Sequence, residues 1–251
     1  MLPILYRDDH LAVVDKPSGL LVHRSVVDRH ERRFAVQMLR DQLGRHVFPV
    51  HRLDKGASGA LVFALDRDTA RTLARAFAGQ TVAKTYLAVV RGWMADAGVI
   101  DHPLDAVEDA LLPAPAGGLK PALTRFRRLA AVELPHRVDR YPTARYSLVE
   151  LHPTTGRRHQ LRRHLAHVSH PIIGDSTHGK GRHNRLFARL FGVHRLLLAC
   201  VHLEFTHPAS GQPLHFDAPP GEAFEALFEN FRWQWRPTAA RVSPSFPSPS
   251  Q

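Results

Sequence analysis

The sequence has a single cysteine, Cys200, among 251 residues. One thiol excludes an internal disulfide framework and suits a reducing compartment. Its setting, LLLACVHLEF, is apolar, which favours a buried structural thiol over a nucleophile. No stretch approaches the roughly 18 to 20 apolar residues of a membrane span. The opening MLPILYRDDHLAVVDKP puts acidic residues where a signal peptide has its apolar core, so a mature, cytoplasmic protein is expected. Several catalytic signatures are also missing: no GxSxG elbow, no Walker A loop, no GxGxxG after a strand, no HExxH and no CxxC. Nothing therefore points to a nucleotide, flavin or nicotinamide, and no cofactor or metal is expected. KPSG, residues 16–19, reads only as a loop with a lysine, and there is no internal repeat.

What is present is basic. The chain carries 34 Lys+Arg against 23 Asp+Glu, a net charge of +11, with 18 histidines besides. Arginine supplies most of the positive charge, and a planar guanidinium can grip phosphate through two bonds or stack on a base. A polyanionic partner fits this balance, although a solvated basic face would show the same composition. With 44% hydrophobic residues, the chain can bury the core of one large domain or of two fused halves.

The local patterns predict many strands and few helices. Ile4–Tyr6 and Leu11–Asp15 read as strands around the turn RDDH. A helix is expected over Phe34–Leu43, stopped by Gly44. GALVFAL reads as a buried strand. Asp68 is the expected N-cap of a helix running through Ala70–Phe77 to Gly79. KTYLAVVRG, ALTRFRRLAAVEL and LLLACVHLEF read as strands, and ARYSLVELHP shows the clearest alternation. HPASGQPLHF is a hairpin turn and return, and EAFEALFENF is a closing helix. Asp105–Lys120, with PAPAGG, is read as an exposed loop. Residues 237–251 form a Pro/Ser-rich tail expected to be disordered, leaving one domain over 1–236. Short turns between strands favour an α+β fold with a mixed, largely antiparallel sheet.

Three segments could carry chemistry. HRLDKGASG, His51 to Gly59, places ionisable side chains in a loop between ordered elements, where functional residues concentrate. A carboxylate beside an arginine can serve as nucleophile or base; an Arg–Asp pair that merely fixes a loop is the commoner use of the same residues. TGRRHQLRRHLAHVSH reads as a turn and then a helix, with Arg158 and Arg162 on one face, and His159 and Arg163 likewise. This cluster, with Arg157, suits phosphate contacts. Its histidines lack interleaved carboxylate or cysteine ligands, which argues against a metal site. KTYLAVVRG offers Lys84 and Tyr86, the latter either a core residue or a ring that stacks on a base.

Together these segments resemble the RluA-type RNA pseudouridine synthases. HRLDKGASGALVFA is similar to the family's HRLDxxTSGxxxxA, KTYLAVVRG to its KxYxAxVxG, and TGRRHQLRRHLAHVSHPIIGD to its TGRxHQIRxHxxxxGHPIxGD. The order and spacing agree from about Leu5 to Phe216. The opening ILYRDDHLAVVDKPSGLLVHRSVVDRHE is most similar to the branch that modifies a uridine in the T-stem of tRNA. One departure is Ala57, where the family has threonine; the missing hydroxyl brings loop rigidity into question. The resemblance implies a two-halved sheet flanked by helices around a basic central cleft, and action without cofactor on structured RNA, tRNA first and ribosomal RNA second; a monomer is the default expectation. It implies Asp54 as the catalytic aspartate, Arg162 as the arginine that pairs with it, and Tyr86 as the ring packed on the target base. Arg52 would fill the space left by the flipped base. His51, Lys84, Arg157, Arg158 and Arg163 complete the expected RNA-binding set. The match starts almost at Met1, so no added N-terminal RNA-binding module is expected. A catalytically silent RNA binder and a hydrolase using Asp54 with a histidine are the competing classes.

Overall fold

The computed structural model describes residues 1–24, 30–105 and 118–236. In chain order the elements are β1 (Ile4–Arg7), β2 (Leu11–Lys16), α1 (Ala35–Leu43), β3 (Phe48–Pro49), β4 (Ser58–Ala64), α2 (Arg67–Ala78), β5 (Ala83–Arg91) and β6 (Ala97–Asp101). There follow β7 (Leu104–Asp105), β8 (Leu119–Lys120), β9 (Leu123–Leu134), β10 (Ala144–Pro153) and α3 (Gln160–His167). The chain closes with α4 (Gly181–Phe191), β11 (Leu198–Thr206), β12 (Pro213–Asp217) and α5 (Glu222–Phe231).

Ten strands form one sheet in the order β1-β2-β4-β11-β5-β10-β9-β6, with β3 paired to β4 and β12 to β11. Every pairing in it is antiparallel except β4 with β11. The α+β architecture is thus as the sequence predicts. β4 is buried at all seven positions, as its unbroken apolar run requires of a strand covered on both faces. β10 is also buried across most of its length, so its polar-apolar alternation marks two packed faces and not one wet one.

The two halves meet along β4 and β11, through the pairs Ala199↔Ser58 and Cys200↔Gly59. Gly59 sits at φ 108°, and a Cβ there would fall 2.0 Å from the Cys200 carbonyl oxygen. Only glycine permits that approach. This seam brings the loop before β4 beside the centre of β5, because Tyr86 in turn faces Cys200 across the β5–β11 ladder.

The structure corrects several local expectations. The N-cap of α2 is Asp66, not Asp68: its carboxylate accepts from Thr69 N at 2.8 Å and from Thr69 Oγ1 at 2.7 Å. Thr69 lies three residues after Asp66, the spacing at which a cap oxygen meets a free backbone N–H. Asp68 lies in the first turn and pairs with Arg71. α3 begins at Gln160, so Arg158 and His159 precede the helix and do not share its faces with Arg162 and Arg163. The reason is local. The Gln160 side chain folds back to accept from Thr155 Oγ1 and from Arg157 N, which closes a turn and leaves His159 left-handed at φ 54°.

α4 was not anticipated. Its buried face, His183, Leu186 and Phe187, keeps helical spacing, but the intervening basic residues mask it. The short strands β7 and β8 pair at the ends of the segment read as a loop, Leu104 with Lys120 and Asp105 with Leu119. The rest of the expected loop, 106–117, and the expected tail, 237–251, lie outside the described residues. No helix among the described residues is long and apolar enough to cross a membrane.

Candidate active site

Asp54 lies in the turn between β3 and β4, where Ala57 N donates to its carbonyl at 3.1 Å. KPSG is more than a passive loop. Lys16 is fully buried, and its amine donates to the carbonyls of Pro17 (2.9 Å), Leu20 (2.7 Å) and Lys55 (3.3 Å). Ser18 Oγ donates to Gly56 O at 2.6 Å, and Gly19 N to Lys55 O at 2.8 Å. Two segments nearly forty residues apart are thus stitched together around Asp54. Ala57 is itself buried, and these bonds from residues 16–19 to the loop need no hydroxyl at position 57. Burial pulls the Lys16 amine down to about 7, against the opposing pull of Asp54 and Asp15.

Arg162 bridges two carboxylates. Its Nη1 donates to Asp54 Oδ2 at 3.2 Å, while Nε and Nη2 grip Asp175 at 2.7 and 2.8 Å. The Asp175 side chain is 0% exposed and that of Arg162 9%. Asp175 Oδ1 also accepts from Thr177 N and His178 N, both at 2.9 Å. Burial alone would raise the Asp175 carboxyl, yet these donors hold it below the usual carboxylate range. A planar guanidinium clamped along one edge can aim its remaining nitrogen at a single point, and that point is Asp54. Asp175 escaped the sequence reading as a functional residue. Its signal was the GD closing the HPIIGD segment.

Tyr86 stands on β5 with its hydroxyl against the Cys200 thiol. Burial, with Cys200 and Asp54 adding, holds the phenol well above the usual tyrosine range. Burial pushes Cys200 up to about 12, as expected of a structural thiol. His159 was read as part of a basic helix, but it lies beside the aspartate, with Nε2 4.0 Å from Asp54 Oδ1 and Nδ1 3.2 Å from His178 Nε2. Burial lowers His159 to about 4; Arg162, Arg158 and His178 add to this and Asp54 opposes it.

The expected RNA-binding residues divide. His51 is turned inward, a correction to its expected place: Nε2 accepts from Val62 N at 2.9 Å, and the ring stacks on Phe77 at 4.2 Å. Burial and Lys84 drive it down to about 3. Lys84 is half-buried, and burial lowers its amine. Arg52 is exposed and Arg158 half-buried. Arg157, also exposed, donates to Pro121 O at 3.1 Å, and Arg163 to Asp105 O at 3.0 Å. These last two brace the chain on either side of 106–117.

Among the described residues one cluster has the donors and spacing for a metal ion: His202, Glu204 and His215. His202 pairs with Thr85, whereas Cys200 pairs with Tyr86. Successive strand residues point to opposite faces, so the cluster lies behind the sheet, away from Asp54. His202 Nδ1 is moreover joined to Asp217 at 2.7 Å.

On the working face, then, stand a carboxylate aimed by a doubly anchored arginine, an adjacent aromatic ring, and a histidine pair. Asp54 keeps 18% of its side chain exposed, enough to meet a substrate. Such an arrangement serves nucleophilic or proton-transfer chemistry at a planar, unsaturated ring. Known proteins agree. The chain is 48% identical over 236 residues to tRNA pseudouridine synthase C of Vibrio vulnificus (strain CMCP6), covering 93% of this chain and 96% of that protein. It is 47% identical over 237 residues to tRNA pseudouridine synthase C of Yersinia pestis, covering 93% and 92%. Among solved structures, Human RNA Pseudouridylate Synthase Domain Containing 4 superposes with a TM-score of 0.69 at 25% identity, covering 93% of this chain and 94% of that one. Human RNA Pseudouridylate Synthase Domain Containing 1 gives 0.64 at 25% identity, covering 98% and 97%. The pattern of the RNA pseudouridylate synthase family matches residues 10–167, the stretch holding Lys16, Asp54, Tyr86 and Arg162, and the chain belongs to that family.

Proposed function

We propose that this enzyme isomerises one uridine of tRNA, in the T-stem, to pseudouridine, with Asp54 as its essential carboxylate. The observation that carries the assignment is the Asp54–Arg162–Asp175 array. A carboxylate tied to a surface loop would need no second, wholly buried carboxylate to fix its partner. The tRNA target rests on the curated relatives named above.

Isomerisation breaks the N1–C1′ bond, turns the base, and joins C5 to C1′. The atoms lie inside a stack, so the nucleotide must first be extruded, at a cost of roughly a few kcal/mol. Arg52, exposed two residues before Asp54 in the chain, is assigned to the space the base leaves. Tyr86 packs against the freed uracil and limits its escape. Asp54 works beside C1′ and C2′, by attack at C1′, by attack at C6 or by removing the 2′ hydrogen. Arg162 keeps it aimed, an electrostatic task set up before substrate arrives. Lys84, Arg157, Arg158 and Arg163 are assigned to phosphates, with His51 as a brace behind them. Residues 1–236 act as one catalytic unit. Asp54, Arg162, Asp175 and Tyr86 meet within one chain, and the enzyme is assigned as a monomer acting in the cytoplasm.

Carbodiimide mapping of pseudouridine in RNA from cells with and without the gene tests the assignment. Loss of one T-stem site, restored by wild type and not by Asp54→Ala, is the expected result. Loss of a ribosomal site would keep the reaction and overturn the substrate. Restoration by Asp54→Ala would overturn the role of Asp54.

A further inference from the structure

Joining C5 to C1′ does not finish the reaction. At that point C5 carries both its original hydrogen and the new bond, and the ring holds a double bond between N1 and C6. To reach pseudouridine the C5–H bond must break. Its electron pair forms C5=C6, the N1=C6 pair moves onto N1, and N1 gains a proton. The net change carries one proton from C5 to N1, with no oxidant or reductant. Some group must accept the first proton.

The groups around Asp54 are unequal to this task. The Tyr86 phenol is held in its protonated form and leans on Cys200. The Lys16 amine is spent on three carbonyls. His51 uses Nε2 to receive the Val62 N–H. Arg162 is clamped between two carboxylates. Asp54 is engaged, on the reading above, in the bond changes at C1′, C6 or C2′.

His159 is different. Its Nε2 points toward the Asp54 carboxylate at 4.0 Å and makes no closer bond there. Its Nδ1 meets His178 Nε2 at 3.2 Å. If Nδ1 carries the hydrogen and donates it to His178, Nε2 presents a lone pair on the side of Asp54. The pairing is rigid at both ends. His178 has its backbone N–H on Asp175 Oδ1, the oxygen that also holds Arg162 Nη2. His159 itself sits left-handed at φ 54° and ψ 25°, a conformation that a side-chain-bearing residue keeps only when its surroundings impose it. The charged and titratable groups facing it are Asp54, Arg158, Arg162 and His178. Two guanidiniums and burial disfavour its cation, so the ring is neutral before the reaction and able to accept.

We infer that His159, oriented by His178, is the base that removes the C5 proton after the new carbon–carbon bond has formed. The inference rests on the assignment of pseudouridine formation at Asp54. The base has already turned when C5 is joined to C1′. The proton therefore passes from His159 to N1 directly, or by exchange through solvent, which supplies N1 as it takes the proton from His159.

The test is single-turnover kinetics on a tRNA transcript whose target uridine carries deuterium at C5, compared with the protiated transcript. The variants are His159→Asn, which tolerates the left-handed backbone, and His159→Gly, which prefers it. With tRNA binding and circular dichroism as in wild type, both should turn over ~10²-fold more slowly. Both should show a C5 isotope effect larger than that of wild type, because deprotonation becomes limiting. Added imidazole should restore His159→Gly. A rate within ~3-fold of wild type, or a slow variant with an unchanged C5 isotope effect, overturns the inference. Product formation by Asp54→Ala in the same assay would instead sink the assignment of Asp54, whatever His159 does.

Discussion

The ring of His51 offers a clean thermodynamic test of how the catalytic loop is held. Its Nε2 accepts the Val62 N–H, so protonation both loses that bond and puts a cation beside Lys84. In the folded chain it titrates at about 3, against roughly 6.5 when unfolded. Between those values the unfolded state binds the extra proton. Stability is therefore fully present at and above neutral pH, and falls as pH drops below about 6.5. At pH 5 the gap from the unfolded value is about 1.5 units, which at about 1.4 kcal/mol per unit gives about 2 kcal/mol. This is an upper value, since the ring keeps some contact with solvent. His51→Gln retains an acceptor for Val62 N and cannot titrate. Urea unfolding at pH 7 and pH 5 should show wild type losing about 2 kcal/mol more than the variant, about 1 M in midpoint for an m-value near 2 kcal/mol/M. The other histidines titrate in both proteins and cancel in the comparison. Parallel losses in the two proteins would refute the reasoning, because the loop would then not depend on a neutral His51.

Gly59→Ala forces a Cβ to within 2.0 Å of the Cys200 carbonyl at a positive φ, so the seam between the halves must open; a loss of at least ~3 kcal/mol in urea unfolding is expected, and a stable variant would show that the seam is slack. Asp175→Asn leaves a buried guanidinium with one carboxylate. It should cost about 3 kcal/mol of stability and lower kcat/KM mainly through kcat, read by single-turnover kinetics beside tRNA binding; an unchanged kcat would mean that Asp54 needs no such aiming.

Much of this was legible in the chain. The unbroken apolar run of β4, the glycine after α1 and the hairpin before β12 follow from backbone rules that act over a few residues. Asp54, Arg162 and Tyr86 were singled out through the family resemblance of their segments, because the residue types alone fit a loop-fixing ion pair and a core tyrosine equally well. What was missed depends on distance. Lys16 and Asp175 act through contacts with segments 39 and 13 residues away, and no local pattern shows that a loop lysine will be buried among carbonyls. The reading of Arg158 and His159 failed for a related reason. Helical spacing was extended back through residues whose backbone is fixed by one glutamine side chain, Gln160, and not by periodicity.

The same misreading hid the chemistry. On a helix, His159 would have faced phosphate with its arginine neighbours. A left-handed residue at the helix entrance instead throws its ring across to Asp54 and His178. The turn closed by Thr155, Arg157 and Gln160 therefore does two things with one set of bonds. It starts α3 at the residue that puts Arg162 on Asp54, and it turns His159 out of the helical path into the site. Local strain at His159 is offset by the polar bonds of that turn, a pattern that suits a residue kept for its position more than for its contribution to folding.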